Sequence, residues 1–482
     1  MEFCMSYCRA VAGSALVAVV SYGCNGGGTT TLPSFGTPPK PPVKASLRII
    51  GVGDSLTAGV QSDGLLGVDA PNPIPMSPFP VAFRTQENGF WALLWQQANP
   101  QYSISDPSTS PLPLIAAPGV GTLLVPGANN APTPIVTACA QSNLNAYAFR
   151  SALSTRLNAN VSPYDVGIPG QTVHEAIFQF QPTGPCNPPP GPTGALAPLL
   201  MENAYFYPVL GTWGPSITQL NAAASLHGQI ATVWLGSNDV LKAAFSGGAI
   251  GPTDPASLRA DLTTIVQTLQ KSGAKVAVAN LVDILGAAFF FPGPTFAQSL
   301  ATLLEHANPP VPVPIANFLG QLYAGQVAKL YGIGPNGGYV TLQGVAIVTA
   351  AIQAHANLGT PPYVLVPQGD FVTAALASKL HSANLAYNSA IANVAHTNGA
   401  ALVDVYTLFV NAEKNGYRIN PPVCCTLQFG GGFFSLDGLH PSNTGYAVLA
   451  NLFITTIDNA FGTSIPQVDV ASIYKTDPYA PH

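Results

Sequence analysis

The stretch Ile49-Ile50-Gly51-Val52-Gly53-Asp54-Ser55-Leu56 determines how the rest of the chain is interpreted. The mostly apolar run from Leu47 to Val52 predicts a short buried strand, and Gly53-Asp54-Ser55 supplies the break that ends it. A serine at the point where a strand passes into a helix lies at the edge of the sheet, close to free backbone N–H groups. Because such groups can hold a developing oxyanion, Ser55 is a candidate nucleophile.

The composition indicates a folded protein with a weakly charged surface. Of the 482 residues, 47% are apolar and 8% are charged, whereas about 25% charged residues is usual. This length supports a large core, either as one domain with insertions or as two domains. A net charge of −5 with only 16 Lys+Arg argues against a nucleic-acid partner, because those partners require concentrated positive charge.

The N-terminus resembles an export signal. Arg9 precedes an apolar run from Ala10 to Tyr22, which is shorter than the ~20 residues that cross a bilayer. Gly23-Cys24 follows and resembles a bacterial lipoprotein cleavage site, although Ser21 stands where an aliphatic residue is usual. We therefore expect a signal peptide at 1–23 and a Gly/Thr/Pro-rich linker at 24–45.

The expected location is outside the cytoplasm. The protein would be secreted, periplasmic or lipid-anchored to the bacterial cell envelope, with membrane attachment through a lipidated Cys24. Plain secretion and lipid anchoring both stay open, and a disordered cytoplasmic tail is the less favoured alternative.

Four cysteines follow the expected signal peptide and Cys24, namely Cys139, Cys186, Cys424 and Cys425. An even number in an oxidising compartment allows up to two disulfides, whose connectivity the sequence does not determine. We expect the adjacent Cys424 and Cys425 to pair with distant partners rather than with each other. No cysteine spacing is that of a zinc site.

Three later segments place glycine or polar residues beside predicted strand ends or helix starts. Gly170 lies in the turn of Tyr164 to Val173, before a helical pattern, and Asn238 follows the apolar strand Ile230 to Leu235. Near the C-terminus, Asp437 and His440 are three residues apart. This spacing lets the carboxylate hold the imidazole Nδ1–H within one turn.

Together these segments resemble the blocks of the GDSL, or SGNH, family of esterases and lipases, in the family's order. Gly53-Asp54-Ser55-Leu56 is similar to the first block, with Ser55 as its nucleophile. Gly170 and Asn238 match the oxyanion-binding glycine and asparagine of the second and third blocks. Asp437 and His440 match the final D-x-x-H block. Asp165-Val166 departs from the family, which usually has asparagine before the glycines of the second block.

The resemblance implies an α/β fold, a three-layer α/β/α sandwich of flavodoxin-like type. A mainly parallel sheet and long loop insertions are expected over residues 46–465, with a C-terminal tail at 466–482. After the strand Ile230 to Leu235 we expect a helix from Pro255 to Lys271 and a strand from Lys275 to Ile284, and this strand–helix–strand alternation favours the same parallel arrangement. We also expect a helix at Ile315 to Leu330 and a strand at Ala400 to Tyr406.

The resemblance also implies hydrolysis of carboxylic esters through an acyl-enzyme. Ser55 would attack the ester, His440 would transfer the proton and Asp437 would orient His440. The N–H groups of Ser55 and Gly170, with the Asn238 amide, would form the oxyanion hole. No metal and no organic cofactor is implied.

The expected class of substrate depends on the role of the apolar segment at about 285–368, which contains Phe289-Phe290-Phe291. As a lid or acyl-chain wall it would favour a lipid or long-chain ester, but it is equally consistent with additional core packing. The resemblance also allows a short-chain or carbohydrate O-acetyl esterase.

Two alternatives of other classes are a non-catalytic cell-surface binding protein on the same fold and a purely structural lipoprotein. Competent residues at all expected catalytic positions argue against the binding protein. A dinucleotide-binding turn is disfavoured because Leu56 replaces the third glycine of that fingerprint. His174-Glu175 has no companion at metal-ligand spacing, so we interpret it as an ordinary polar helix edge.

Overall fold

A computed structural model describes residues 40, 42, 44–65, 84–115, 120–121, 124–126, 132–134, 156–179, 209–213, 217–305, 310–355, 358, 366–419 and 423–481. The expected signal peptide, most of the expected linker, and Cys24, Cys139 and Cys186 lie outside these residues. All the described residues belong to one unit, Phe35–His482.

The strands in this part of the chain are β1 Ile49–Gly53, β2 Gly64–Leu65, β3 Val120–Gly121, β4 Leu124–Pro126, β5 Pro132–Pro134, β6 Ile230–Trp234, β7 Lys275–Ala279, β8 Phe290–Pro292, β9 Tyr339–Thr341, β10 Phe371–Val372, β11 Ala401–Val403, β12 Tyr417–Arg418 and β13 Val423–Cys425. The helices are α1 Ser55–Ala58, α2 Phe90–Ala98, α3 Val173–Phe178, α4 Gln219–Ser225, α5 Ser237–Phe245, α6 Pro255–Lys271, α7 Phe296–Glu305, α8 Val313–Tyr331, α9 Leu342–Gln353, α10 Ala374–Thr397, α11 Val405–Asn415, α12 Asn443–Phe461 and α13 Val470–Thr476. Among the described helices, none is both long and apolar enough to span a membrane.

The central sheet has four parallel strands in the order β1-β6-β7-β11. Every residue of β1 and β6 is buried, as expected for a parallel sheet that is covered on both faces. Helices α4, α6 and α10 pack on the sheet, and so does α12, which also contacts α2. The predicted three-layer α/β/α sandwich is therefore confirmed.

Aromatic packing joins one helical layer to the sheet. The Phe90 ring in α2 lies 5.3 Å from the Trp234 ring in β6 and 4.5 Å from the Phe453 ring in α12, between ring centroids. All three side chains are buried. Aromatic pairs at such distances contribute beyond the area that they bury, so this cluster fixes α12, which follows directly on the Asp437–His440 segment.

The segment from Tyr164 to Ile168, just before Gly170, runs beside β1 as extended chain rather than as a full strand. Gly51 accepts the Val166 N–H at 3.0 Å and donates its own N–H to the Tyr164 carbonyl at 3.0 Å. The Ile168 N–H then bonds the Gly53 carbonyl at 3.0 Å. These bonds bring the turn at Gly170 to the end of β1.

Two predicted strands are shorter in the structure because polar side chains end them. The strand expected from Lys275 to Ile284 stops at Ala279. The next residue, Asn280, donates its Nδ2–H to Asp404 Oδ1 at 2.8 Å. The strand expected from Ala400 to Tyr406 stops at Val403, because Asp404 caps α11 through the Thr407 N–H.

The segment at 285–368 contains more regular structure than the sequence indicated. Strands β8 and β9 form an antiparallel sheet with β10, in the order β10-β9-β8, and helices α7, α8 and α9 pack together beside it. Helix α8 contains the helix predicted at Ile315 to Leu330. Phe289 is buried and lies 5.4 Å from the Phe245 ring of α5, so this insertion packs directly on the core.

Cys424 and Cys425 form a disulfide with each other, so the expectation that they pair with distant partners was wrong. Neighbouring side chains of a regular strand point to opposite faces. This pair, however, lies at the end of a strand of only three residues. The chain turns directly after it, where the Thr426 N–H donates to the Gly431 carbonyl at 2.8 Å. Both cysteines are buried.

Candidate active site

Ser55 is the first residue of α1, at the carboxyl end of β1. Asp54 caps this helix, because its Oδ1 accepts the Leu56 N–H at 3.0 Å. The turn requires glycine at position 53, where a Cβ would lie 1.9 Å from Thr57 Oγ1 and 2.9 Å from the Trp234 carbonyl oxygen. The local sequence therefore forces an abrupt strand-to-helix turn that presents Ser55.

Gly170 has a φ of +84°, a conformation that glycine adopts without steric cost. Across the described residues, neither the Gly170 N–H nor the Ser55 N–H donates a hydrogen bond to another protein group. Two backbone donors are therefore available to an external acceptor.

Asn238 lies in the first turn of α5, directly after β6, and is buried. Its Nδ2 donates to the Gln171 carbonyl at 3.1 Å and to Asp54 Oδ2 at 3.2 Å. The amide thus connects the turn after Gly170 with the turn before Ser55. Since both N–H bonds are engaged, the amide can reach an oxyanion only by sharing one of them.

Asp54 and Asp239 are buried carboxyls at these turns. Burial raises the pKa of Asp54 to about 7, against the Leu56 N–H and the His440 charge, which lower it. Burial also raises the pKa of Asp239 to about 6. Asp239 Oδ2 accepts the Val173 N–H at 3.0 Å. This bond connects the first turn of α5 with the first turn of α3.

Asp437 and His440 form a tight hydrogen-bonded loop. Asp437 Oδ2 accepts the His440 Nδ1–H at 2.6 Å. Its Oδ1 accepts the backbone N–H groups of Leu439 and His440, each at 2.8 Å. Gly438 allows this loop with a φ of +68°, and Ser442 caps α12 directly after it through the Gly445 N–H. The predicted carboxylate–imidazole pair is present in the structure.

The electrostatics of this pair favour the ionised carboxylate and the protonated imidazole. Burial acts to raise the pKa of Asp437, but the His440 charge and the hydrogen bonds outweigh it and lower that pKa. Burial acts to lower the pKa of His440, but the Asp437 charge and hydrogen bond, with Asp63 and Asp54, raise it overall. His440 is therefore a stronger base than a free imidazole.

All five predicted site residues line one cavity of about 120 Å³. They are Ser55, Gly170, Asn238, Asp437 and His440. Much of the remaining wall is apolar and comes from α5, from the segment after β7 and from the insertion, namely Leu241, Phe245, Val282, Ile284, Ala287 and Phe289.

Asp63 also lines the cavity, and sequence reasoning missed it. Its backbone N–H donates to Asp437 Oδ2 at 2.7 Å. The sequence Ser62-Asp63-Gly64 could have indicated a turn, because Asp and Gly favour turns. Nothing in that pattern shows that the turn reaches Asp437.

His174 and Glu175 make separate polar contacts at the edge of α3. His174 Nδ1 lies 2.9 Å from Asp261 Oδ2, and Lys242 Nζ lies 2.7 Å from Glu175 Oε1. Glu175 also completes a capping box with Thr172. In the described residues, no group of three or more His, Cys, Asp and Glu side chains could hold a metal ion.

Comparisons with solved structures find two distant similarities. One is to a protein described as a GDSL-like lipase from Parabacteroides merdae ATCC 43184, at 9% identity and a TM-score of 0.32, over 88% of this chain and 99% of that one. The other is to the acetyl xylan esterase AlAXEase, at 12% identity and a TM-score of 0.27, over 65% of this chain and 89% of that one. Similarity at these TM-scores supports no argument about function.

A search of the curated proteins finds no match. The family comparison is decisive, because it covers well over half of the chain. Residues 49–453 match the GDSL-like Lipase/Acylhydrolase family, and the chain therefore belongs to this family of ester hydrolases.

Proposed function

We propose that this protein hydrolyses carboxylic esters with apolar acyl chains through an acyl-enzyme on Ser55. The observation that carries the proposal is the meeting of Ser55, the Asp437–His440 pair and two available backbone N–H groups in one cavity with an apolar wall. Nucleophilic catalysis requires a serine and a base that is itself oriented by a carboxylate, and these three groups line the same cavity.

Acylation begins when Ser55 Oγ attacks the ester carbonyl carbon and His440 Nε2 accepts the hydroxyl proton. The bond from Asp437 to Nδ1 orients the imidazole and stabilises its protonated form. Collapse of the tetrahedral intermediate breaks the bond to the alcohol oxygen, which receives the proton from His440. Water then attacks the acyl-enzyme with His440 as base, releasing the carboxylic acid and restoring Ser55.

The oxyanion would be held by the N–H groups of Ser55 and Gly170. The Asn238 amide would contribute by sharing the N–H that it now donates to Asp54. Removing one donor of this kind typically costs about 10²–10³ in rate.

The insertion supports an apolar acyl group, because it contributes Ala287 and Phe289 to the cavity wall. Phe245 of α5 faces the same cavity and contacts Phe289. Burial of each additional CH₂ group contributes about 0.8 kcal/mol. A longer acyl chain should therefore bind better until the apolar wall is covered.

Hydrolysis of p-nitrophenyl esters from acetate to palmitate tests this proposal. We expect kcat/KM of the wild type to rise with chain length and Ser55→Ala to lose activity by roughly 10⁴-fold or more. Ser382→Ala, which changes an exposed serine on α10, should behave like the wild type.

Two outcomes would contradict the proposal in different ways. A preference for acetate would indicate a short-chain or carbohydrate O-acetyl esterase. No hydrolysis of any ester by folded protein would favour a binding protein. The export of the chain, with or without a lipid on Cys24, rests on the N-terminal sequence pattern and stays a proposal.

A further inference from the structure

A short terminal segment, residues 477–481, packs against both ends of the loop Asp437–His440. Asp477 is buried, and its Oδ2 accepts the Thr444 N–H at 2.7 Å, in the first turn of α12. Pro481 packs on Gly432, where an added Cβ would lie 2.4 Å from Pro481 Cδ. Gly432 precedes the loop and Thr444 follows it. The terminal segment is therefore held in place on either side of the loop.

Between these two contacts, Tyr479 reaches the turn at Ser62. The two hydroxyl oxygens lie 2.8 Å apart. Ser62 Oγ also accepts the Leu436 N–H at 3.3 Å, and the Ser62 N–H donates to Ser435 Oγ at 2.8 Å. Because Ser62 and Ser435 are both buried, hydrogen bonds that are lost there are not replaced by bonds to water. Ser62 is thus fixed between the terminal segment and the residues that lead into the loop.

The turn at Ser62 places a hydrogen-bond donor against Asp437. Ser62 and Asp63 both have left-handed backbone, with φ of 50° and 59°, which is uncommon for residues other than glycine. Surrounding contacts must therefore hold the turn. The Asp63 N–H donates to Asp437 Oδ2 at 2.7 Å, and the same oxygen accepts the His440 Nδ1–H. A shift of the turn would change the direction of the carboxylate that orients the imidazole.

Resting on the proposed ester hydrolysis, we infer that Tyr479 is a positioning residue for the reaction: through Ser62 it holds the turn that fixes Asp437, and through Asp437 it fixes the imidazole of His440. Neither Tyr479 nor Ser62 is among the described residues that line the cavity, so the effect is on the catalytic pair and not on contact with the substrate. Tyr479 also lies beyond residues 49–453, which match the family.

Single-turnover acylation tests this role, with p-nitrophenyl octanoate as substrate and the enzyme in excess. The limiting rate constant at saturating enzyme reports the acylation step, whereas a smaller folded fraction changes only the enzyme concentration needed to reach it. Tyr479→Phe removes the hydroxyl and keeps the ring. We expect the limiting rate constant to fall roughly three- to tenfold, the factor that corresponds to one hydrogen bond, with little change in the affinity for the ester.

A double-mutant cycle shows whether Tyr479 acts through Ser62. Ser62→Ala should lower the limiting rate constant at least as much as Tyr479→Phe, because it breaks the same contact and also leaves the Leu436 N–H without its acceptor. Adding Tyr479→Phe to Ser62→Ala should then have no further effect, since the shared contact is already lost. Two independent effects that add would reject the route through Ser62.

Tyr474→Phe is the matched control. The Tyr474 hydroxyl donates to the Pro481 carbonyl at 2.6 Å, so this variant loses a hydroxyl bond to the terminal segment while Asp477 still holds that segment at Thr444. We expect the wild-type rate constant. An unchanged rate constant in Tyr479→Phe, or an equal fall in Tyr474→Phe, would overturn the inference.

Should Tyr479→Phe fail to fold, Ser62→Ala decides, because it breaks the same contact from the other side, and a wild-type rate constant there would reject the inference. Failure of the proposed function itself would appear separately, as absent or Ser55-independent release of p-nitrophenol by the wild type.

Discussion

Asp437 is the most heavily hydrogen-bonded side chain of the site. Besides the His440 imidazole, it accepts backbone N–H groups from Leu439, His440 and Asp63. Such bonds favour the ionised carboxylate and fix its direction. Asp437 therefore has little freedom to move, and it determines which imidazole nitrogen carries the proton.

This arrangement predicts a defined pH dependence of hydrolysis. Because the pKa of His440 is raised above its ordinary value of 6.5, and only neutral imidazole acts as a base, kcat/KM should fall below a midpoint that lies above 6.5. Asp437→Asn removes the charge that raises this pKa, so the midpoint should move to lower pH while kcat falls about 10⁴-fold.

The control for this pH profile is Asp261→Asn, which removes the carboxylate from the exposed His174 pair and should leave the midpoint in place. The same midpoint in Asp437→Asn and in the wild type would show that the carboxylate does not set the basicity of His440.

Motifs placed the candidate site residues in the sequence, but they did not indicate the contacts that support those residues. Ser55, Asp437 and His440 each belong to a short pattern with fixed spacing. The Asp63–Asp437 bond joins residues 374 positions apart. A local sequence pattern cannot show that two residues so far apart are in contact.

Asp165, which departs from the family's usual asparagine, has a physical explanation in the structure. Burial raises its pKa well above the ordinary value, against the Gly167 N–H, which lowers it, and so favours the neutral acid. Its Oδ1 accepts the Gly167 N–H at 2.8 Å. A protonated carboxyl has nearly the size and polarity of the amide that it replaces.

At the scale of elements, the insertion and the catalytic loop are in direct backbone contact. The Phe289 N–H donates to the Gly438 carbonyl at 2.9 Å, and the Phe289 carbonyl accepts the Leu342 N–H at 2.8 Å. A residue of the apolar wall therefore also supports the loop that carries His440. In the proposed mechanism, this contact would couple the binding of an acyl chain to the position of His440.

Gly438→Ala should disrupt this coupling. A Cβ there would lie 2.7 Å from the Phe289 backbone nitrogen, and the φ of +68° is unfavourable for alanine. The loop must shift, and displacement by about 1 Å can cost roughly 10²-fold in rate. We expect a loss of that size in kcat/KM for p-nitrophenyl octanoate.

Gly462→Ala is the control, because it introduces the same unfavourable backbone conformation for alanine without a steric clash. Gly462 has a φ of +71°, and a Cβ added there would meet nothing within 4 Å, so alanine should lower stability by about 1–2 kcal/mol and leave the rate unchanged. Equal rates for the two variants would contradict the coupling.

The elements themselves were predictable where a long periodic pattern exists. Helix α6 spans the predicted Pro255–Lys271, because Asp254 and Pro255 mark its start in the sequence. The strands β8, β9 and β10 were not predicted, since each has only two or three residues. Segments so short show no alternation, and only their pairing in the fold defines them.

For the whole molecule, four blocks in the family's order were enough to predict the fold, but not how the chain after residue 465 packs. Asp477 Oδ2 accepts the Thr444 N–H at 2.7 Å, beside the start of α12, and Tyr479 bonds Ser62 at 2.8 Å. Residues from the beginning, the end and the insertion of the described unit thus meet around one cavity. Sequence order alone cannot show that convergence.

Covalent labelling with a fluorophosphonate tests most directly whether Ser55 is an activated nucleophile. Attack by Ser55 Oγ forms an oxygen–phosphorus bond and expels fluoride, and mass spectrometry of digested protein then locates the adduct. We predict one adduct, on the peptide that contains Ser55, and none in Ser55→Ala. An adduct on another residue, or no labelling of folded wild-type protein, would contradict the proposed mechanism.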